Sequence, residues 1–500
     1  MSGRVRCIVF IISILNGLVV LPAAAQSGRT FYIDYSNGSN SNNGTAKSSA
    51  WKSHPYMQTG AGCTGTGSAP AYSHQPGDRF VFQGGVTWPS ACFPMEINGG
   101  GSSNTVRDIY TADQSWYVGS AFAKANFSGN GATLNHVVSV NASNVTLSYL
   151  DMGGYRVSNN PGGCTGTINV PSGMANVMAS YVYLHDWQLN SPTDMSGHAI
   201  GGLCSGMYIT QKDNNIVLDH SDVRDDGNIV NGASVPVGVC GKSIHIAFTH
   251  CHYLIEGIVG HGAVHDSEFD HITWGGLSLD NGGAHGNIIE ADTYNGDGPV
   301  YNNFLHDNTE GVNIFETSIA NVYNNVIYNH YWNAAIMIDT EPNQNPTSST
   351  ANVYNNTVKC DTSSDTRAVR VFDRGAGKLG TLNMKNNVFI ACTIDTAAAS
   401  TVNSVTNTSL SLAQMVAQGL SVTTGLVPNL NSGLSQGTNM STLCTGADSS
   451  GYSFALLCKD IVAVGRPLGS PWSIGAYEIG GQTSQTSKPN PPSNLAATVQ

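Results

Sequence analysis

One phrase recurs along this chain. Val300-Tyr301-Asn302-Asn303-Phe304-Leu305-His306-Asp307-Asn308 returns as VYNNVIYNH from Val322 and as VYNNTVKCD from Val353, and Met384-Lys385-Asn386-Asn387, with Phe389, fits the same template. The starts lie 22, 31 and 31 residues apart, an interval at which self-similarity signals stacked repeats. A unit this short cannot bury its own apolar face, so its copies must pack on one another. Weaker copies stand upstream at Leu218-Asp219-His220-Ser221, Phe248-Thr249-His250-Cys251 and Val264-His265-Asp266-Ser267.

A second phrase follows the first: Gly257-Ile258-Val259, Gly276-Leu277-Ser278-Leu279-Asp280, Gly311-Val312-Asn313-Ile314, Ala335-Ile336-Met337-Ile338-Asp339 and Ala368-Val369-Arg370-Val371. Inward aliphatics alternate here with outward mixed residues, the period of a strand with one buried face. Two or three short strands per repeat, with Asn or Gly at each bend and no helical periodicity, predict an all-β parallel β-helix. The Asn pair is expected at the corner, because Asn tolerates left-handed backbone geometry and bonds to its own chain. Composition agrees. Only 11% of the 500 residues are charged and 57 are Gly, a mix that suits turn-rich β structure.

Arg4 and Arg6 precede an apolar run from Cys7 to Leu21 and then Ala23-Ala24-Ala25, the pattern of a secretory signal peptide over 1–25. The run is short for a bilayer and is interrupted by Asn16 and Gly17, so membrane insertion is not expected. The formal charge is -12, and -14 without the two leader arginines, which disfavours nucleic acid as a partner. The expected organisation is a loop-rich N-terminal opening segment over 26–135, core coils over 136–392, C-terminal coils and cap over 393–479, and a Ser/Thr/Pro tail over 480–500. PPSNLAATVQ in that tail resembles the first strand of a fibronectin type III domain, and Leu410, Leu412, Met415 and Val416 suggest a short helix.

The stacked VYNN units, the opening FYIDYSNGSNSNNGTAKSSAWKS and PGDRFVFQGG, the YTADQSWYVGSAFAKANFSG stretch from Tyr110 and the closing GSPWSIGAYEIGG from Gly469 together resemble a known group. These are the secreted bacterial right-handed parallel β-helix proteins of the pectin-lyase-like superfamily, and the resemblance covers roughly Phe31 to Glu478. It implies a right-handed solenoid that is extracellular or periplasmic. It does not imply one activity, since the superfamily holds hydrolases, lyases, epimerases and adhesins.

Ten cysteines follow the leader, and in an oxidising compartment disulfides are their expected use. Cys360 and Cys392 fall in nearly one column of neighbouring coils, ~4.8 Å apart, so they are paired. Proximity in sequence pairs Cys63 with Cys92, Cys164 with Cys204, Cys240 with Cys251, and Cys444 with Cys458. No CxxC spacing suggests zinc.

Chemistry must come from outward residues. The alternation of the second phrase places His261, Asp280 and Asp339 outward at matching strand ends, Glu316 and Asp373 one residue further on, and Arg370 and Met337 one step earlier. Stacked carboxylates raise the pKa of one member and can create a general acid. Asp280, Glu316 and Asp339 are therefore the predicted catalytic residues. With the Glu316 strand between them, Asp280 and Asp339 would stand ~9.6 Å apart, near the spacing of an inverting glycosidase. His261, Arg370 and Asp373 would grip the substrate, and Trp274 and Trp332, with Tyr294 and Tyr331, are sugar platforms or loop anchors. Arg224-Asp225-Asp226 and Gly260-His261-Gly262 resemble motifs of pectin-hydrolysing glycosidases, with a longer spacing and without the Asn-Thr-Asp and Arg-Ile-Lys motifs that complete that set. His245, His250, His252, His261, His265 and His271 could bind a transition metal or form solvated surface.

Three functions fit. One is a glycoside hydrolase that cleaves a polysaccharide or oligosaccharide with paired carboxylates. The second is a lyase in which Ca²⁺ held by Asp and Glu neutralises a uronate and Arg370, Arg374 or Lys378 takes the proton. The third is a non-catalytic cell-surface or glycan-binding protein. No cofactor is otherwise required, a monomer is expected, and the acidic balance favours a neutral glycan.

Overall fold

The computed structural model describes residues 28–65, 67–157, 166–189, 204–209, 215–225, 238–254, 256–272, 287–291, 298–315, 319–340, 349–361, 367–447, 451–467 and 470–479. Each full coil carries three short strands. In the coil that opens on the first VYNN these are Val300–Tyr301, Phe304–Asn308 and Val312–Phe315, and the next coil repeats them as Ile319–Tyr323, Val326–His330 and Ala334–Thr340. Like strands pair in parallel from coil to coil. Val300, Val322, Val353 and Met384 form one column, and Leu305, Ile327, Val358 and Phe389 form another. The second strands make a 12-stranded sheet, and the first and third strands together a 22-stranded one. The chain is a right-handed parallel β-helix, the hand that parallel crossovers adopt.

The Asn pair explains the recurrence. Asn302, Asn324, Asn355 and Asn386 hold φ of 58, 57, 53 and 56°, so the first Asn turns every coil through the left-handed region. The second Asn is enclosed. Asn325 Nδ2 donates to the Val300 carbonyl at 2.9 Å and to Asn356 Oδ1 at 3.0 Å, and Asn356 repeats this toward Val322 and Asn387 at 2.9 and 3.1 Å. Upstream, hydroxyls fill the same column: Ser267 Oγ accepts from the Thr249 amide at 3.1 Å. The middle weak copy is aligned differently from the sequence reading, since Phe248, at φ 48°, occupies the corner and Ile246-Ala247-Phe248-Thr249 is the unit. Asn356→Ala strips partners from buried groups on two coils and is expected to cost about 3 kcal/mol, read as a lowered urea midpoint.

Four of the expected disulfides form, with Cα–Cα distances of 4.8 Å for Cys63–Cys92, 5.8 Å for Cys240–Cys251, 5.1 Å for Cys360–Cys392 and 5.7 Å for Cys444–Cys458. Such bonds suit an oxidising compartment. The fifth pair, Cys164 with Cys204, falls outside what is described. No helix among the described residues is long and apolar enough to cross a membrane.

After the last coil the helix Leu412–Ala417 opens on a capping box between Ser411 and Gln414, and the chain then folds back over the solenoid. Leu420, Leu426, Leu434, Ile461 and Tyr477 pack on Phe304, Val326, Tyr328, Val388 and Ile390, which point outward from the second-strand sheet. Buried Arg466 fastens this flap, donating to Glu478 at 3.2 Å and to corner Asn324 at 3.0 Å. The downstream half of that sheet face is thereby sealed.

Candidate active site

The upstream half of the same face carries different residues. Its strands are Leu150–Val157, Tyr183–Leu189, Asp222–Arg224, His250–His252, Glu268–Asp270 and Phe304–Asn308. In the register that the six strands share, the inward residue is apolar: Met152, Leu184, Val223, Cys251, Phe269 and Leu305, all of them buried. The residues on either side of it point outward, so two rows run along the solenoid. Asp151, Tyr183, Asp222, His250 and Glu268 form the first, which ends at Phe304. Gly153, His185, Arg224, His252, Asp270 and His306 form the second.

The rows are laced together by imidazole–carboxylate pairs. His185 Nε2 meets Asp151 at 2.8 Å, His252 Nε2 meets Asp222 at 2.8 Å, and His306 Nε2 meets Glu268 at 2.8 Å. His250 Nε2 and His271 Nδ1 both contact Asp270. Leu184-His185-Asp186 and Leu305-His306-Asp307 build the same device twice. In each, Nδ1 pairs with the following Asp, at 2.6 and 2.7 Å, while Nε2 reaches the coil before. The rings also stack: His250 on His252 at 4.0 Å, Tyr183 on His185 at 4.4 Å and His306 on Tyr328 at 4.9 Å. Gly153 has no room for a side chain, since a Cβ there would lie 1.9 Å from the His185 carbonyl oxygen.

Burial and pairing set the charges. Burial pushes Asp270 up, but the hydrogen bond and charge of His250 and the hydrogen bond of His271 outweigh it, and the carboxyl is held below its ordinary range. Burial lowers His252 against the opposing pull of Asp222. His185 goes the other way: burial lowers it, but its bonds to Asp151 and Asp186 raise it to about 9. The sign of its linkage follows. A folded value above the unfolded ~6.5 gives stability that is full below pH ~6.5 and lost as pH rises through about 9. The melting-temperature gap between wild type and His185→Gln should therefore be widest near pH 6 and shrink above pH 9, and a gap that grew with pH would contradict the assignment.

No protein-family model matches this chain, and no curated protein matches it either. Among solved structures, pectate lyase Pel9A is similar over 91% of this chain and 98% of its own, at 13% identity and a TM-score of 0.42. The GH136 lacto-N-biosidase from Eubacterium ramulus, as native protein and as selenomethionine derivative, is similar over 77% of this chain and 68% of its own, at 10% identity and a TM-score of 0.32.

Of the residues expected from sequence to carry chemistry, Asp339, Arg370 and Asp373 lie on third strands. Asp280, Glu316 and Trp274 fall outside the described residues, as does Tyr294, and of His261 only the strand position is described. Asp339 points away from the coil interior but is not exposed. Its Oδ2 accepts from Arg374 Nε and a terminal guanidinium nitrogen at 3.1 and 3.0 Å, and its side chain is fully covered. Met337, expected on the surface, is likewise buried, with all of Ala334–Thr340. In the ladder Asp339 stands beside Phe372, while Asp373 stands beside Thr340. Asp373 accepts the Gly375 and Gly377 amides at 2.7 and 3.0 Å, forming a turn on the exposed edge. Arg370 donates to Asn333 and lies 4.4 Å above the Phe372 ring. Trp332 is exposed and its backbone amide donates to Thr309.

Sequence reasoning passed over Asp151, His185, Asp222, Glu268, Asp270 and His306. A signal was available in DVR, HCH, EFD and LHD, where one apolar residue stands beside or between titratable ones. A search for aliphatic alternation does not register strands with a single inward residue. Ca²⁺ finds no all-oxygen shell among these clusters. Both groups of described side chains close enough to share an ion, Asp222 with His250 and His252 and His250 with Glu268 and Asp270, contain imidazole, whereas Ca²⁺ takes oxygen ligands.

Proposed function

We propose that this chain is a secreted enzyme that cleaves an extracellular polysaccharide by hydrolysis, with the upstream face of the second-strand sheet as its active face. One observation carries the reading. Asp151 and Asp222 stand in one row with the Tyr183 coil between them, and at 24% and 18% exposure their side chains are more open than Glu268 and Asp270 at 10% and 9%. One intervening coil sets a rise of ~9.6 Å, close to the upper end of the ~6.5–9.5 Å that leaves room for an attacking water in inversion. One carboxyl would protonate the glycosidic oxygen and the other would draw the proton from water. His185 and His252 hold these carboxyls in place, and a linear polymer lying along the solenoid would meet the rows in turn. Six carboxylates on the face, those of Asp151, Asp186, Asp222, Glu268, Asp270 and Asp307, favour a neutral glycan over a polyuronate.

The test is to incubate the mature protein with a panel of neutral and uronic polysaccharides and record reducing ends together with unsaturated products. New reducing ends without unsaturation are expected. Unsaturated products would replace hydrolysis by elimination, and silence across the panel would leave a glycan-binding protein.

A further inference from the structure

Lysine and arginine are unevenly placed along this face. Beside Asp151 and Asp222 stand two cations: Lys124, which feels both carboxylates, and Arg224, one row across. The strands His250–His252, Glu268–Asp270 and Phe304–Asn308 carry no lysine or arginine. Arg224 lies two coils upstream of Asp270, and the next outward cation, Lys359, lies three coils downstream.

We propose that His250, Glu268 and Asp270 bind a Zn²⁺-class divalent transition ion. One ligand atom from each lies within 4.8 Å of the others. The donors sit on two adjacent strands in register, Glu268 opposite His250 and Asp270 opposite His252, so the sheet fixes their spacing. Imidazole with carboxylates suits Zn²⁺, Co²⁺ or Ni²⁺ better than Ca²⁺ or Mg²⁺. The outer contacts that orient metal ligands are present: His306 Nε2 holds Glu268 at 2.8 Å and is itself backed by Asp307 at 2.7 Å, and His271 holds Asp270. Binding through Nε2 replaces the hydrogen bond between His250 and Asp270, and the imidazole proton moves to Nδ1. The alternative triad of Asp222, His250 and His252 has Lys124 and Arg224 beside it, which disfavour a further cation there.

The test uses the mature, untagged protein, stripped with a chelator and dialysed, then titrated separately with Co²⁺, Zn²⁺ and Ca²⁺. One ion per chain by elemental analysis is expected, with a Co²⁺ visible absorption band and displacement by Zn²⁺. Glu268→Gln and His250→Ala, checked for unchanged melting of the ion-free protein, should weaken binding about a hundredfold or more, and His185→Gln should not. If His250→Ala fails to fold, Glu268→Gln alone decides. No stoichiometric ion, wild-type affinity in the folded variants, or uptake of Ca²⁺ in place of Co²⁺ would overturn the site. The metal readout is independent of catalysis: a bound ion without glycan cleavage would keep the site and remove the proposed function, and cleavage without a bound ion would do the reverse.

Discussion

Leu382→Asp is expected to yield no folded protein, while Val402→Asp, one coil further along the same column, is expected to fold. Leu382 is fully buried inside the solenoid, and Val402, its ladder partner, is 40% exposed on the last coil. A carboxylate at 382 would be enclosed without a counter-charge, at a cost of several kcal/mol set against a total stability of about 5–15 kcal/mol. At 402 the same side chain reaches water, and a change within about 0.5 kcal/mol is expected. Secretion yield and circular dichroism of the two variants check this. Equal behaviour would mean that the coils do not stack in the register described.

That register was largely legible in the sequence. The second Asn of VYNN must satisfy backbone groups of the coil behind it, and the first must turn the chain, so neither position tolerates drift and both remain visible as letters. The same holds for Cys360 and Cys392, whose column could be counted from the phrase. The site was less legible because two different causes make a strand residue point outward. Asp339 obeys the period-2 rule and is still buried, because Arg374 reaches back from the following coil and covers the carboxylate, and no local pattern announces a contact made 35 residues away. On the second strands the outward rows change from titratable to apolar at Phe304, where the C-terminal flap arrives. Without the flap in view, nothing in the sequence marks Phe304, Val326 and Tyr328 as covered, and the contrast that marks the upstream rows as open is lost.

Asp151→Asn and Asp222→Asn should each lower turnover by about a thousandfold, within the range by which a positioned acid or base contributes. The melting temperature of Asp222→Asn should stay close to wild type, because its side chain remains partly open to water, while Asp151→Asn, which removes one carboxylate partner of His185, should fold but melt somewhat lower below pH 9. Loss of activity together with loss of fold would assign the pair a structural role. Asp339→Asn is expected to show the opposite pattern. It removes the charge from a covered carboxylate whose Arg374 partner is about one-third exposed, costing about 1–2 kcal/mol of stability with turnover per folded molecule unchanged.

The most direct measurement is the turnover of Asp222→Asn beside that of Asp339→Asn on the polysaccharide that the wild type cleaves, each normalised to the folded fraction. Turnover lost at 222 and retained at 339 is the predicted result. Turnover retained at 222 and lost at 339 would move the chemistry to the third-strand face and contradict the account.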